Sequence, residues 1–423
     1  MANSLTITLK TLTPLWTGGV DQTCDRLHET GGVDQTCDCL HETGLLGSLR
    51  WWYEALMRGL GGYACDPTGE EPKARCEFDT KAYEQAKKDG KTELEAIHAG
   101  LHSVCPVCYL FGTTGWARLF QLRAIDVPIT PLHFRTTIRM NQGWLKRVFG
   151  GENQNIDSIK VPYGNVRLQF IPRRQDAEYA KTQLALILRV AAAYGGIGAR
   201  MQHGFGQIAF PPELNDISLE RGLQELQAKI QSGFLRSTGP EVNTPFNMHN
   251  FVSLTFEIPK SKLSVFMQRN AHIGASQKIQ EQSYIPCVFD LRYKGSGNWG
   301  MRQWLKQKRW QESSDPKQLR ELDQLLGPRS QWGPKGNEKR IEEELRTAGR
   351  VFFGMPYQKQ GNPNVYILRV WAFWPQEVQH KLQSVRELKN LLEQYIQYIF
   401  GKEAQKVSEV LGQDILKAAG GTK

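Results

Sequence analysis

The first residues of the chain alternate strictly between apolar and polar side chains. Residues 5–10 read Leu-Thr-Ile-Thr-Leu-Lys, and this period of two predicts a strand with one buried face. From Leu45 the apolar spacing becomes helical and continues to Leu60, where the pair Gly61-Gly62 ends the pattern. The chain therefore opens with a predicted strand and a predicted amphipathic helix.

The next 150 residues alternate again between extended and helical patterns. Short extended stretches are predicted at 118–125, 131–140 and 166–171, and a helix at 177–194 runs directly into a glycine-rich loop. A further strand is predicted at 207–210 as the chain leaves that loop. The order strand, helix, strands, helix, strand is that of a split βαβ, ferredoxin-like domain.

The second half of the chain repeats the opening pattern. An alternating apolar strand is predicted at 252–258, an extended run at 365–374 and amphipathic helix over 376–417. We therefore predict an α+β fold of tandem ferredoxin-like domains with helical and loop insertions. The predicted organisation is a first domain at 1–215 with an insertion at about 62–110, a helix and linker at 216–250, and a second domain at 251–423 with a basic insertion at about 292–350 and C-terminal helices.

Composition adds a preference for an acidic partner. The formal net charge is +10 and the sequence pI is about 9.1, which favours a polyanion such as nucleic acid. The start of the chain lacks a basic segment followed by an apolar one, so we expect a cytoplasmic protein with no membrane partner. In a reducing compartment, cysteines are interpreted as thiols or metal ligands.

Four of the eight cysteines suggest a metal site. The pair in Cys105-Pro-Val-Cys108 supplies half of a tetrahedral thiolate site, and Cys65 and Cys76 could supply the rest, with zinc as the candidate ion. Four buried or free thiols are the alternative. His98 and His102 lie four residues apart on a predicted helix and could replace a cysteine, although solvent-facing histidines are the simpler interpretation.

The loop at 195–206 contains five glycines together with Arg200 and His203. Glycine permits positive φ angles and close approach of backbone amides to an anion. A dinucleotide-binding loop would follow a strand and precede a helix, and here the order is reversed. The loop is therefore predicted to be a structural turn or a cradle for an RNA backbone, and its arginine and histidine favour RNA.

A tandem duplication lies between the first strand and helix. Residues 17–29 and 30–42 are identical except for Arg26 in one copy and Cys39 in the other. A loop tolerates such lengthening at a cost of only about 0.6 kcal/mol per doubling, so the segment is predicted to be a solvent-facing loop. Two copies of this length match no solenoid repeat.

Five segments carry a further signal: Thr13–Gly19 (TPLWTGG), Glu42–Tyr53 (ETGLLGSLRWWY), Cys105–Arg118 (CPVCYLFGTTGWAR), the loop end His203–Gly206 (HGFG), and Ile285–Arg302. They resemble the RAMP superfamily of CRISPR systems and, more narrowly, the family of first subunits of Cmr (type III-B) effector complexes. The resemblance implies tandem ferredoxin-like (RRM-like, RAMP) domains. It also implies an RNA-binding structural subunit that works with other Cmr-type RAMP subunits in antiviral defence.

The resemblance further implies contacts with guide CRISPR RNA in its 3′ region and with target RNA. Base pairing supplies sequence specificity in guided effectors, so protein contacts to backbone and shape suffice. Arginines, loop amides and tryptophans are the residue types that would make them. The predicted RNA-binding residues are Arg50, Trp51, Arg118, Gly196, Gly198, Arg200, His203, Gly204, Gly206, Arg292, Lys294, Trp299 and Arg302.

An enzymatic alternative stays open at this point. In related RAMP backbone subunits a loop aspartate between the first strand and helix cleaves target RNA, and the duplicated loop offers Asp21, Asp25, Asp34 and Asp38. A stand-alone RAMP endoribonuclease that processes guide precursors would instead use His28, His41 or His203 as general acid or base. We expect no catalysis, because a loop of doubled length does not hold a carboxylate in line with a phosphate. A zinc-dependent interaction module with incidental basic charge is a third alternative.

Overall fold

The structure is a computed structural model, and it describes residues 4–17, 40–67, 74–133, 158–173, 176–239, 246–269, 279, 281–293, 299–313, 315, 317–328, 331–332, 338–339 and 348–420. The duplicated loop, with its aspartates and His28, lies almost entirely outside these residues. Lys294 and most of the predicted strand at 131–140 also lie outside them.

Strands and helices alternate along the described chain. The strands are β1 (Leu5–Lys10), β2 (Phe120–Asp126), β3 (Ile129–His133), β4 (Ser158–Pro162), β5 (Asn165–Pro172), β6 (Phe251–Pro259), β7 (Gln331–Trp332), β8 (Glu338–Lys339), β9 (Val351–Phe353), β10 (Tyr357–Lys359), β11 (Asn362–Phe373) and β12 (Gln405–Leu411). The helices are α1 (Glu42–Gly59), α2 (Thr80–Lys88), α3 (Glu93–Leu101), α4 (Pro106–Phe111), α5 (Ala177–Tyr194), α6 (Leu219–Ile230), α7 (Lys260–Arg269), α8 (Val288–Arg292), α9 (Met301–Gln307), α10 (Glu321–Leu326), α11 (Val385–Phe400) and α12 (Gly412–Lys417).

The first half is organised on a three-stranded antiparallel sheet of order β1-β5-β2. The alternation predicted for β1 is observed, since Ile7 and Leu9 are buried while Lys10 is exposed. The buried face packs on α1 and α5, whose apolar sides meet it in one hydrophobic core. Residues 207–210 contribute an isolated bridge from Ile208 to Thr11 and not the predicted strand.

The second half is organised on a five-stranded antiparallel sheet of order β10-β11-β6-β12, with β9 also paired to β11. A second hydrophobic core lies between this sheet and α7 to α11. One helical prediction needs correction. The predicted helix over 376–417 divides into α11, β12 and α12. The predicted domain boundaries stay a prediction.

Candidate functional site

The glycine-rich loop that follows α5 lies where the two halves of the molecule meet. From the second half, Arg369 donates to the carbonyl oxygen of Gly195 at 3.1 Å and the Met355 amide donates to that of Gly204 at 3.2 Å. From the first half, the Thr13 hydroxyl also donates to Gly204, at 3.1 Å. The loop therefore joins the two cores.

Most of the loop's amides face acceptors inside the protein. Gly198 donates to the Ser48 hydroxyl of α1 at 2.7 Å, and Gly206 donates to the Pro14 carbonyl oxygen at 2.8 Å. The amides of Ile197, Ala199 and Gly204 donate to Gly206, Trp16 and Met201 respectively. The expectation that Gly198, Gly204 and Gly206 present amides to phosphates is therefore corrected, because these donors are already used. At Gly196 the carbonyl oxygen accepts a 2.7 Å bond from Trp52 Nε1.

Close backbone packing explains why glycine occupies these positions. Gly206 has φ +85°, and a Cβ there would overlap the Ile197 carbonyl oxygen. Gly204 has φ +90°, and a Cβ there would lie 2.6 Å from the Met355 nitrogen. Side chains other than glycine rarely adopt this region. The loop is shaped by its fit to the chain's own backbone.

Arg200 and His203 differ in what they present to solvent. Arg200 has φ +56° and is half-buried, with its guanidinium 4.1 Å from the centre of the Trp16 ring. His203 stacks on Phe289, and burial of its ring, aided by Arg292 and Arg200, lowers its pKa to about 3. The imidazole is neutral at physiological pH.

Four cysteines from the segment between α1 and the end of α4 meet in one cluster. Cys65, Cys76, Cys105 and Cys108 are all buried, and their Sγ atoms lie within 4.8 Å of one another. Zinc–sulfur bonds of about 2.3 Å in a regular tetrahedron place the sulfurs about 3.8 Å apart. The cluster therefore has the donor type, number and spacing that a tetrahedral metal site requires. His98 instead stacks on Phe234 at 4.2 Å.

Hydrogen bonds stabilise the thiolate of one member of the cluster, Cys105. Burial raises the pKa of Cys105, but hydrogen bonds from Cys108, Cys65 and Cys76 outweigh burial and lower that pKa well below its usual value. The Cys105 amide donates to Cys76 Sγ at 3.2 Å. Arg50 of α1 donates from Nη2 to Cys108 Sγ at 3.3 Å and to Cys65 Sγ at 3.8 Å.

Comparison with known proteins identifies the first half of the molecule. Residues 8–209 match the family model of the RAMP superfamily. The N-terminal half of this chain belongs to that superfamily. The RAMP domain so defined contains α1, the cysteine cluster and the glycine-rich loop. A search of curated proteins finds no match to this sequence.

Solved structures show a low-identity likeness across most of the chain. Apo Cmr1 from Pyrococcus furiosus is 12% identical with a TM-score of 0.37, and the match covers 88% of each chain. A chain of the type III-B Cmr-beta complex bound to cognate target RNA is 11% identical with a TM-score of 0.41, covering 93% of this chain and 99% of that one. Separately, no helix among the described residues has the length and apolarity needed to cross a membrane.

Within the RAMP domain, the predicted RNA-binding residues of α1 and α4 have different surroundings. Trp51 is half-buried in an aromatic cluster, with ring centres 4.9 Å from Phe246 and 5.4 Å from Phe373. The prediction that Trp51 stacks on bases is therefore corrected, because its ring packs between the two halves. Arg50 is held by Glu54 and the cysteines. Arg118 is half-buried after α4.

Beyond the RAMP domain, Arg292 and Arg302 are buried. Arg292 donates to the carbonyl oxygens of Leu326, at 2.6 Å, and Val351. Arg302 pairs with Glu312 at 2.6 Å and with Asp323 at 3.4 Å. These arginines satisfy buried acceptors in the second core, so their interpretation as RNA contacts is corrected.

Trp299 lies at the surface of the second half. It is half-buried, and its ring centre is 5.6 Å from that of Tyr398. The Arg269 guanidinium lies 5.1 Å from the centre of the Trp299 ring. Tyr398 is 41% exposed. Sequence reasoning missed Tyr398 and Arg269, and the only signal for them was the presence of aromatic and basic residues on helices. The three side chains form one exposed aromatic and cationic patch.

Proposed function

We propose that this chain is a non-catalytic RNA-binding subunit of a type III-B CRISPR effector complex, in contact with the 3′ region of the guide RNA or with the target RNA. The observation that carries the proposal is the RAMP-superfamily match over residues 8–209. This region contains four of the five segments that resemble the first Cmr subunit. The net charge of +10 is consistent with a polyanionic partner.

We infer that both halves are ferredoxin-like domains. In the first half the bridge at Ile208, then β1, β5 and β2, follow one another across the sheet. In the second half β12, β6, β11 and β10 stand in the corresponding order. In each half the last segment therefore lies beside the first strand, and every adjacent pair is antiparallel. This agreement supports a duplicated βαββαβ unit.

The RNA surface proposed for the first half depends on side chains and not on loop amides. Arg200 is half-buried beside Trp16, and the bond from Gly198 to Ser48 places the loop against the early turns of α1. Thr43 and Gly47 on those turns are exposed. A guanidinium near the amino end of an 18-residue helix suits a phosphate oxygen.

A second proposed contact is the patch of Trp299, Tyr398 and Arg269. Aromatic faces beside a guanidinium suit unpaired bases of single-stranded RNA, where stacking contributes about 1–3 kcal/mol per base. Replacement Tyr398→Ala should weaken binding of single-stranded RNA and leave duplex binding unchanged. Equal affinity of the variant and the wild type for single strands would remove the patch from the proposed interface.

We propose that the subunit does not cleave RNA. The alternative enzyme would need a histidine that exchanges protons near neutral pH, and the buried, neutral imidazole of His203 does not suit this role. His41 precedes α1 as its N-cap residue, and its backbone amide donates to the Thr17 hydroxyl at 2.8 Å. Purified protein incubated with repeat RNA in EDTA should leave the RNA intact. Cutting that disappears in a His203→Ala variant would instead identify a metal-independent nuclease.

We propose Zn²⁺ as the ion of the cysteine cluster. Four cysteine thiolates are the donor set of many structural zinc sites, and four buried sulfurs within 4.8 Å of one another support this assignment. Bound zinc would hold the four cysteines together within the RAMP domain. One zinc per chain by plasma mass spectrometry is the expected result, and a metal-free protein with a reduced cluster would refute it.

The RNA proposal is tested by charge reversal at Arg200. For single-stranded RNA, each phosphate contact contributes about 0.7 to the slope of log affinity against log salt concentration. Arg200→Glu should therefore lower the affinity for RNA and make that slope shallower by about 0.7, the value of one contact. The loss of affinity should depend little on the RNA sequence, because the contact is to the phosphate backbone. The control is Arg386→Glu at an exposed position of α11, which makes the same charge change in the second half. Equal effects of the two variants would show that only net charge matters.

A further inference from the structure

Arg50 lies where a residue that hydrogen-bonds to the sulfur ligands of a metal centre would lie. Its guanidinium spans two groups: Nε donates to Glu54 at 2.9 Å, while Nη2 points to Cys108 Sγ at 3.3 Å and Cys65 Sγ at 3.8 Å. Only 18% of the side chain is exposed. The planar fork of arginine allows it to bind a carboxylate and sulfurs at once.

The contact from Arg50 would offset the negative charge of a metal-bound cysteine cluster. Four thiolates around a divalent ion carry a net charge of −2, which is costly to bury without compensation. A buried guanidinium beside two of the sulfurs reduces this charge by one. Residues that orient or neutralise metal ligands typically change metal affinity by about 10- to 100-fold when they are replaced.

The contact also joins elements that are distant in sequence. Arg50 belongs to α1, Cys65 follows that helix, and Cys108 lies in α4. The same helix α1 provides Ser48, which holds the amide of Gly198 in the glycine-rich loop. A metal held with the help of Arg50 would therefore tie Cys65 and Cys108 to the helix that positions the loop.

We propose that Arg50 is a positioning residue for a Zn(Cys)4 centre formed by Cys65, Cys76, Cys105 and Cys108, and that it acts on the metal and not on RNA. The inference rests on the zinc assignment made under the proposed function. It reassigns a residue that the family resemblance places at the RNA surface, because the guanidinium is directed into the cysteine cluster.

The chain offers a matched control for the experiment. Arg58 lies two turns further along α1, pairs with the same Glu54 at 3.3 Å and is 13% exposed, but it donates to the Phe246 carbonyl oxygen where Arg50 contacts sulfur. Arg50→Met and Arg58→Met therefore remove similar charge and packing from one helix. Arg50→Lys keeps the positive charge and loses the fork.

The measurement is zinc retention by the full-length protein during titration with a chromogenic chelator, with Co²⁺ substitution to report thiolate-to-metal charge-transfer bands. Arg50→Met should release zinc at chelator concentrations about tenfold lower than the wild type, and Arg50→Lys should shift in the same direction by less. Arg58→Met should match the wild type. If Arg50→Met does not fold, the shift in Arg50→Lys decides the question.

Three results would count against the inference, and they are distinguishable. Wild-type protein without zinc would refute the zinc assignment and this inference together, while the Arg200 variant would still judge RNA binding separately. Zinc retention that is equal in Arg50→Met, Arg58→Met and wild type would refute the role of Arg50 alone. RNA affinity measured on zinc-saturated Arg50→Met should equal that of the wild type, and a loss there with normal zinc retention would return Arg50 to the RNA surface.

Discussion

Replacing Gly206 by alanine tests whether the glycine-rich loop is shaped by internal packing. Gly206 has φ +85°, where a Cβ costs about 1–2 kcal/mol. The added atom would also overlap the Ile197 carbonyl oxygen, and overpacking of this kind costs about 1–3 kcal/mol more. Gly206→Ala should therefore lower the free energy of unfolding by about 2–5 kcal/mol.

Gly61 separates the two contributions to that cost. It has φ +77° at the end of α1, and nothing lies within 4 Å of the position of its Cβ. Gly61→Ala should lose only the conformational part, about 1–2 kcal/mol. The assay is urea unfolding of both variants and the wild type, followed by tryptophan fluorescence. Equal destabilisation of the two variants would show that the loop yields freely, and the internal-packing account would be wrong.

Three further substitutions each test one buried polar or ionisable group. Trp52→Phe removes the 2.7 Å bond to the Gly196 carbonyl oxygen and should lower the free energy of unfolding by about 1–3 kcal/mol in urea titrations; no loss would contradict the bond. The pKa of His203 is about 3 when folded and about 6.5 when unfolded, so stability should fall as pH drops between these values, and His203→Gln should abolish that fall in melts across the range. Burial raises the pKa of Asp290 to about 7, so its contribution to stability falls as pH rises from about 4 to 7, and Asp290→Asn should remove this opposite trend. A variant with an unchanged pH profile would show that its residue does not titrate as described.

Elements with a buried face could be predicted from the sequence. The alternation in β1 and the apolar stripe of α1 are clear because one side of each packs against a core. Strand β12 was missed for the opposite reason. Its first five residues are exposed, so burial imposes no alternation, and its residues merge into the surrounding helical pattern. Only its pairing with β6 defines it as a strand.

The candidate site shows what residue types alone leave open. Five glycines indicated that backbone approaches something closely, but the partners are carbonyl oxygens of the chain itself, at Pro14 and Trp16. Arg302 was expected at the surface because of its charge, yet Glu312 and Asp323 satisfy it in the core. The cysteine cluster required the tertiary fold, because 29 residues separate Cys105 from Cys76.

The central claim is that this chain holds RNA as part of a guided assembly. The most direct measurement is recovery of native complexes with the tagged full-length chain, followed by mass measurement and sequencing of the RNA that accompanies it. We expect a multisubunit complex with a short guide RNA of uniform length, and we expect the Arg200→Glu variant to recover less of it. Recovery of the chain without RNA, or with fragments of random length and sequence, would contradict the account.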